Sequence, residues 1–193
     1  MRTLVIASGN AGKVEEFQGL LKHLPLYVVS QPEGIEVEES GTTFAANARL
    51  KAVAVAAATG AWALADDSGL SVDALEGAPG VFSARYAPTD PERIAKLLAA
   101  MDGRQNRKAQ FRAALCIAAP DGSVLLEVEG FCQGQITQEP RGDGGFGYDP
   151  IFEVSGTGQT FAEMQPGEKK RYGHRGRAFA ELNDPLRDLI RSS

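Results

Sequence analysis

The chain opens on Thr3-Leu4-Val5-Ile6-Ala7, a short apolar run rich in strand formers, followed by Ser8-Gly9-Asn10 and then by Val14, Phe17, Leu20, Leu21 and Leu24 at helical spacing. Strand, polar turn and helix in that order start an α/β arrangement, in which helices cover the faces of a sheet.

The rest of the chain reads the same way. Leu26 to Val29 and Ile35 to Glu38 predict short strands, with Pro32-Glu33-Gly34 as the turn between them. A second helix is predicted from about Thr43 to Ala58, with Ser40 or Thr42 near its cap and Gly60 ending it. Trp62 to Ala65 predicts a short strand that delivers Asp66 and Asp67 to its carboxyl end, where ligands gather in open α/β sheets. Asp90-Pro91 reads as an N-cap and first helical residue, with Ile94, Leu97, Leu98 and Met101 on one face. Phe111, Ala113, Leu115 and Ile117 alternate, Pro120-Asp121-Gly122 turns, and Val124, Leu126 and Val128 alternate again, which predicts an antiparallel hairpin. A last helix from about Arg177 is interrupted or restarted at Pro185. The fold class is α/β with a mixed sheet.

At 193 residues the chain suits one domain, or two small lobes sharing a core, and the single unit is favoured. Its 43% hydrophobic and 23% charged residues are ordinary for a globular protein. A net charge of -5 gives no general attraction to nucleic acid or to an anionic membrane, so an anionic ligand must be held locally. Cys116 and Cys132 are too few for a disulfide framework or a dedicated zinc site; they allow one bridge between neighbouring strands, but a reduced compartment is expected. The first apolar run is too short for a signal peptide, and the Ala-rich stretch from Ala45 to Ala65 carries Asn47, Arg49, Lys51 and Gly60, which disqualifies it as a membrane span. A cytoplasmic protein is expected.

Several segments carry chemistry. Ala65-Asp66-Asp67-Ser68-Gly69-Leu70 sets two carboxylates side by side, a costly pairing unless a cation or hydrogen bonds relieve it, and Mg²⁺ favours one or two carboxylates with water and phosphate oxygens. Alone, the same residues serve equally as a turn or a helix cap. Ser8, Gly9, Asn10, Ala11, Gly12 and Lys13 lie between a strand and a helix, where free amides and the helix dipole favour an anion, although the spacing is not that of a Walker loop. Glu36, Glu38 and Glu39 could supply a metal partner for Asp67, or form a solvated strand edge. Asp143 to Pro150 holds three glycines with Phe146 and Tyr148, giving a backbone that a ligand can approach and a ring able to stack on a base. The basic run from Gly167 to Arg177 reads as a solvated segment before a helix, or as a ligand surface through His174 and the multi-donor Arg175.

Taken together these segments resemble the inosine triphosphate pyrophosphatase family, which acts on deaminated purine nucleotides. The resemblance rests on Ser8 to Lys13, Glu38 to Phe44 with Asn47-Ala48, Ala65 to Leu70, Gly77 to Gly80 with Ser83 to Tyr86, Gly144 to Phe152, and His174-Arg175-Gly176, in order along nearly the whole chain. One departure is Gly173, where the family often has Ser before His-Arg. The resemblance implies Mg²⁺-dependent hydrolysis of ITP, dITP or XTP to the monophosphate and pyrophosphate. It also implies a homodimer of elongated α/β subunits, each a mixed sheet with flanking helices and two lobes around a central nucleotide cleft.

Carried over by position, Ser8 to Lys13 would hold the triphosphate. Asp67 would be metal ligand and proton acceptor, with Asp66 in support, and Glu38 would be the second metal ligand, with Glu39 its neighbouring alternative. Ser68, Phe146, Gly147, Tyr148, Asp149, Lys169, His174 and Arg175 would contact the nucleotide. Two other readings compete: a Maf-type pyrophosphatase acting on dTTP or UTP, and a nucleotide-binding sensor without catalysis. The His-Arg-Gly segment and the Gly-Gly-Phe-Gly-Tyr-Asp-Pro loop disfavour the first, and the Asp67 carboxylate the second.

Overall fold

The structure, a computed structural model, describes residues 1–192. In chain order the elements are β1 (Arg2–Ile6), α1 (Ala11–Leu21), β2 (Leu26–Ser30), α2 (Phe44–Thr59), β3 (Trp62–Val72), α3 (Asp90–Ala100), β4 (Lys108–Ala118), β5 (Val124–Ile136), β6 (Phe152–Val154), α4 (Pro166–Tyr172) and α5 (His174–Arg191). The six strands form one mixed sheet in the order β2-β1-β3-β4-β5-β6. β1 pairs in parallel with β2, Arg2 opposite Leu26, and with β3, Leu4 opposite Trp62. β6 runs antiparallel to β5, with Gly134 opposite Val154. The α/β class with a mixed sheet is as the sequence predicts. No helix among the described residues is long and apolar enough to cross a membrane.

The described residues divide into two compact units, one built of residues 1–67, 113–130 and 178–192, the other of residues 68–112 and 131–177. Each has its own core. In the first, Leu4, Ile6, Phe17, Leu21, Leu64, Leu115, Ile117 and Leu182 are sealed from solvent. In the second, Leu70, Leu97, Met101, Phe111, Ile151, Phe152 and Phe161 are. The rings of Phe111 and Phe152 meet edge to face at 4.7 Å, a favoured aromatic geometry.

Several elements depart from the sequence reading. Ile35 to Glu38 is irregular rather than a strand. Ile35 and Val37 are only half-buried there, too little of an apolar face to hold a strand against the sheet. Thr43, not Ser40 or Thr42, caps α2 by accepting the Ala46 amide at 3.1 Å. Thr89, not Asp90, caps α3, in a reciprocal box with Glu92.

The basic run is itself helical. α4 starts at Pro166 behind a Gln165–Glu168 capping box, and Lys169, Lys170 and Arg171 sit in its last turn, where cations favour the negative end of the helix dipole. α5 begins at His174 and continues through Pro185. Leu182 and Leu186, both fully buried, hold it together across the amide that proline lacks.

The largest departure is β3. It runs on to Val72, so Asp66, Asp67 and Ser68 lie in mid-strand rather than at a strand end or in a turn.

Candidate active site

Mid-strand placement solves the problem of two adjacent carboxylates. Successive side chains of a strand point to opposite faces, so Asp66 and Asp67 meet different cations. Lys13, in the first turn of α1, places its ammonium 2.8 Å from Asp66 Oδ2. Lys51, on α2, lies 3.2 Å from Asp67 Oδ1 and donates to the Asp66 carbonyl at 2.8 Å. Lys51 also reaches Glu39 Oε1 at 3.2 Å. Three carboxylates therefore share two ammonium groups, and Asp66 and Asp67 are only 4% and 5% exposed.

The electrostatics follow from this burial. Desolvation pushes the Asp67 carboxyl above the usual aspartate range, Lys51 pulls it back, and Glu39 adds to the rise. Burial lowers the affinity of Lys51 for its proton, but Asp67, Glu39 and Asp66 outweigh it, and the net shift is upward. By contrast, Asp121 is held low by hydrogen bonds from Ser123. Carbon-detected NMR on the metal-free protein is expected to show Asp67 titrating at higher pH than Asp121. The reverse order would mean that the Lys51 attraction exceeds the desolvation.

Asp67 Oδ2 is buried with no hydrogen-bond partner among the described residues. A buried carboxylate oxygen left unsatisfied is costly, and a hard cation is the group that would satisfy it. No three His, Cys, Asp or Glu side chains among the described residues form a ready metal cage. That suits Mg²⁺, which takes one or two carboxylates and draws its remaining ligands from water and phosphate. Asp67 fits this role. Glu39, whose carboxylate shares Lys51 with Asp67, lies within this ionic group, whereas Glu38 is exposed in the irregular segment before α2.

The Ser8 to Lys13 segment forms the entry to α1. Asn10 is its N-cap, its Oδ1 accepting the Lys13 amide at 3.1 Å, while Ser8 Oγ accepts the Asn10 amide at 3.0 Å. Gly9 and Ala11 are exposed and Gly12 is half-buried, and a side chain at Gly9 would meet nothing within 4 Å. The segment thus combines a helix N-terminus, a small-residue surface and a lysine, the features that suit phosphate.

The remaining candidates collect in the second unit. Ser68, directly after Asp67 in β3, accepts a hydrogen bond from Arg175 Nη2 at 2.5 Å. Arg175 is buried and lies 5.3 Å from the centre of the Phe146 ring. Lys169 lies 4.8 Å from the same ring and 2.9 Å from Asp149 Oδ2. Burial drives the Asp149 carboxyl upward, opposed mainly by Lys169. His174, 3% exposed, stacks on Phe111 with centroids 4.7 Å apart. Phe146 is half-buried, flanked by two cations. Tyr148 faces inward instead, its hydroxyl donating to the Ser83 carbonyl at 2.7 Å.

One participant, Lys51, escapes a reading of the sequence. Lys51 stands in an Ala-rich helix where nothing local marks it, although it falls one turn after Asn47, whose Oδ1 accepts the Gly41 amide at 2.7 Å. Glu39 is separated from Glu38 only by its tie to Lys51. Cys116 and Cys132 are free, buried thiols pushed by desolvation to about 12 and about 11, which suits packing rather than chemistry.

The Ham1 family model matches residues 4–184. A dITP/XTP pyrophosphatase of Parasynechococcus marenigrum strain WH8102 is 73% identical over 98% of this chain and 97% of its own length. One from Nostoc sp. strain PCC 7120 is 52% identical over 100% and 98%. Among solved structures, a HAM1 protein from Coxiella burnetii superposes with a TM-score of 0.86 at 41% identity, covering 100% of both chains. A nucleoside-triphosphatase, or dITP/XTP pyrophosphatase, from Mycobacterium abscessus gives a TM-score of 0.74 at 40% identity over 94% of this chain and 99% of that one. With a family match from β1 into α5 and relatives of this identity over nearly their full length, the chain belongs to the Ham1 family.

Proposed function

We propose that this protein is a cytoplasmic, Mg²⁺-dependent pyrophosphatase that hydrolyses dITP, XTP and ITP to the nucleoside monophosphate and pyrophosphate, clearing them from the nucleotide pool. The observation that carries the reading is the unsatisfied Oδ2 of Asp67 beside Lys51, followed at once in β3 by Ser68, which holds Arg175. Relatives named dITP/XTP pyrophosphatase support the substrate class.

In this reading the exposed start of α1, with Lys13, receives the phosphates. Asp67 orients a water against the α-phosphorus and takes its proton, the bond to the bridging oxygen breaks, and pyrophosphate leaves. Mg²⁺, held by Asp67 with Glu38 or Glu39, would supply Lewis-acid neutralisation of the charge on the phosphate oxygens. Lys51 limits the repulsion among Asp66, Asp67 and Glu39.

Base choice is a matter of donors and acceptors. A 6-oxopurine presents an oxygen acceptor beside an N1–H donor, whereas adenine presents the reverse. Lys169 next to Asp149 offers a donor beside an acceptor, and Arg175 and His174 add further donors. A site built on such hydrogen bonds discriminates by about 10⁴–10⁵ against a base that leaves them unpaired.

Pyrophosphate release from ITP, XTP, dITP, GTP, ATP, dTTP and UTP tests this, with Mg²⁺ and with chelator. Turnover of the deaminated purines, lost on chelation and about 10³-fold or more weaker for ATP, is expected. A preference for dTTP or UTP would favour the Maf-type alternative, and binding without turnover would favour the sensor. The family reading also carries the expectation of a homodimer, which sedimentation equilibrium measures directly.

A further inference from the structure

α3 would be dismissed as packing from its sequence, yet one of its residues reaches the Phe146 loop. Because the Thr89–Glu92 box caps the helix, the Asp90 carboxylate is spared that task. Its Oδ1 takes Arg93 Nη1 at 2.6 Å, and its Oδ2 accepts the amide of Gly147, 57 residues away, at 2.8 Å.

The loop is thereby held at successive amides by two carboxylates. Asp149 Oδ2 accepts the Phe146 amide at 3.1 Å, and Asp90 Oδ2 accepts that of Gly147. Gly147 has φ +62, a left-handed conformation that a side chain resists and that an ionic acceptor on its amide stabilises. Tyr148 then anchors to the Ser83 carbonyl, and Ser83 Oγ accepts the Leu70 amide at 3.0 Å and donates to the Gly80 carbonyl at 2.6 Å. Asp149 and Tyr148 set the far side of the loop. Asp90 holds Gly147 from outside it.

We infer that Asp90 is a positioning residue for the base platform: by holding the Gly147 amide it sets the Phe146 ring against Lys169 and Arg175. This rests on the proposed reading of Phe146 as the surface that meets the base. Asp90 bonds to Arg93 and to the Gly147 amide, neither of them a candidate reacting group, so its effect falls on substrate binding and base choice and leaves the chemical step alone.

The test compares Asp90→Ala, Asp90→Asn, Phe146→Ala and the double variant Asp90→Ala/Phe146→Ala, with KM and kcat measured for dITP. Asp90→Ala is expected to raise KM about tenfold with kcat within about twofold, as suits the loss of one charge-assisted hydrogen bond. Asp90→Asn keeps an acceptor for Gly147 and is expected to restore KM to within about threefold of wild type. Because Asp90 acts through Phe146, the double variant should be no worse than Phe146→Ala alone. Asp90→Ser, too short to reach Gly147, carries the same test should Asp90→Ala fail to fold.

A wild-type KM in Asp90→Ala, no rescue by Asn, or additive losses in the double variant would overturn the inference while Phe146→Ala still raises KM. A wild-type KM in Phe146→Ala would instead remove the base platform itself, and the inference with it.

Discussion

Asp67→Asn is expected to abolish pyrophosphate release, by about 10³-fold or more, while the protein remains folded with a Tm equal to or above that of wild type. The two halves of this result have one cause. Asp67 sits in mid-strand, 5% exposed, beside Asp66 and within the reach of Glu39. Its carboxyl is therefore raised by burial, even with Lys51 at 3.2 Å. A raised folded-state pKa means that the native state keeps this proton to higher pH than the unfolded chain does. The stabilisation is fully present below the unfolded value and is lost as pH rises through the folded one. Above its folded-state pKa the fold carries the ionised form at a cost. Asparagine imitates the neutral carboxyl and removes that cost, together with the metal ligand and the proton acceptor. Thermal unfolding in chelator and steady-state kinetics in Mg²⁺ read the two effects separately. Wild-type turnover would remove Asp67 from the mechanism, and a Tm several degrees lower would make its ion pair with Lys51 structural rather than functional.

What the sequence discloses about this site divides by range. Asp66 and Asp67 are conspicuous as an adjacent pair, and Ser8 to Lys13 as a small-residue turn ahead of a helix. Such features are local, and local patterns are legible. Yet the same pattern makes β3 look finished at Ala65, whereas it runs to Val72. An alternation rule sees two charges where a strand should end, because it cannot see Lys13 and Lys51 arriving from α1 and α2 to neutralise them on opposite faces. Lys51 is invisible for the same reason, its meaning lying in residues 12, 15 and 16 positions away. Glu38 and Glu39 are indistinguishable until α2 supplies the lysine that pairs with one of them. The helical state of the basic run was hidden by its charge, since Lys169 and Arg175 are held over Phe146 rather than in solvent. Tyr148 stands out as an aromatic in a glycine loop, but its hydroxyl is committed to Ser83, 65 positions earlier.

Gly176→Ala is expected to be the most destabilising single-methyl change in the chain, by about 3 kcal/mol or more, the upper end of the overpacking range. Gly176 lies in the first turn of α5, close against the backbone of Lys170 in α4. A Cβ there would fall on the Lys170 carbonyl group, 2.7 Å from its carbon. This obstacle is backbone, so no rotamer change relieves it. The only escape is to part α5 from α4. Arg175 lies in the first turn of α5 and Lys169 in the last turn of α4, so that separation would also pull apart the donors placed around Phe146. Loss of stability and a raised KM should therefore appear together. Gly19→Ala supplies the contrast, adding the same methyl to an exposed position in α1 with nothing within 4 Å. There the change is expected to stabilise the protein by about 0.5–1 kcal/mol through helix propensity and a less flexible unfolded chain. Urea unfolding of the two variants decides the matter: opposite shifts of the midpoint support close backbone approach as the reason glycine follows His174-Arg175. A Gly176→Ala midpoint within a few tenths of a molar of wild type would show that the turn between α4 and α5 yields, and that Gly176 does not set where the base-facing side chains sit.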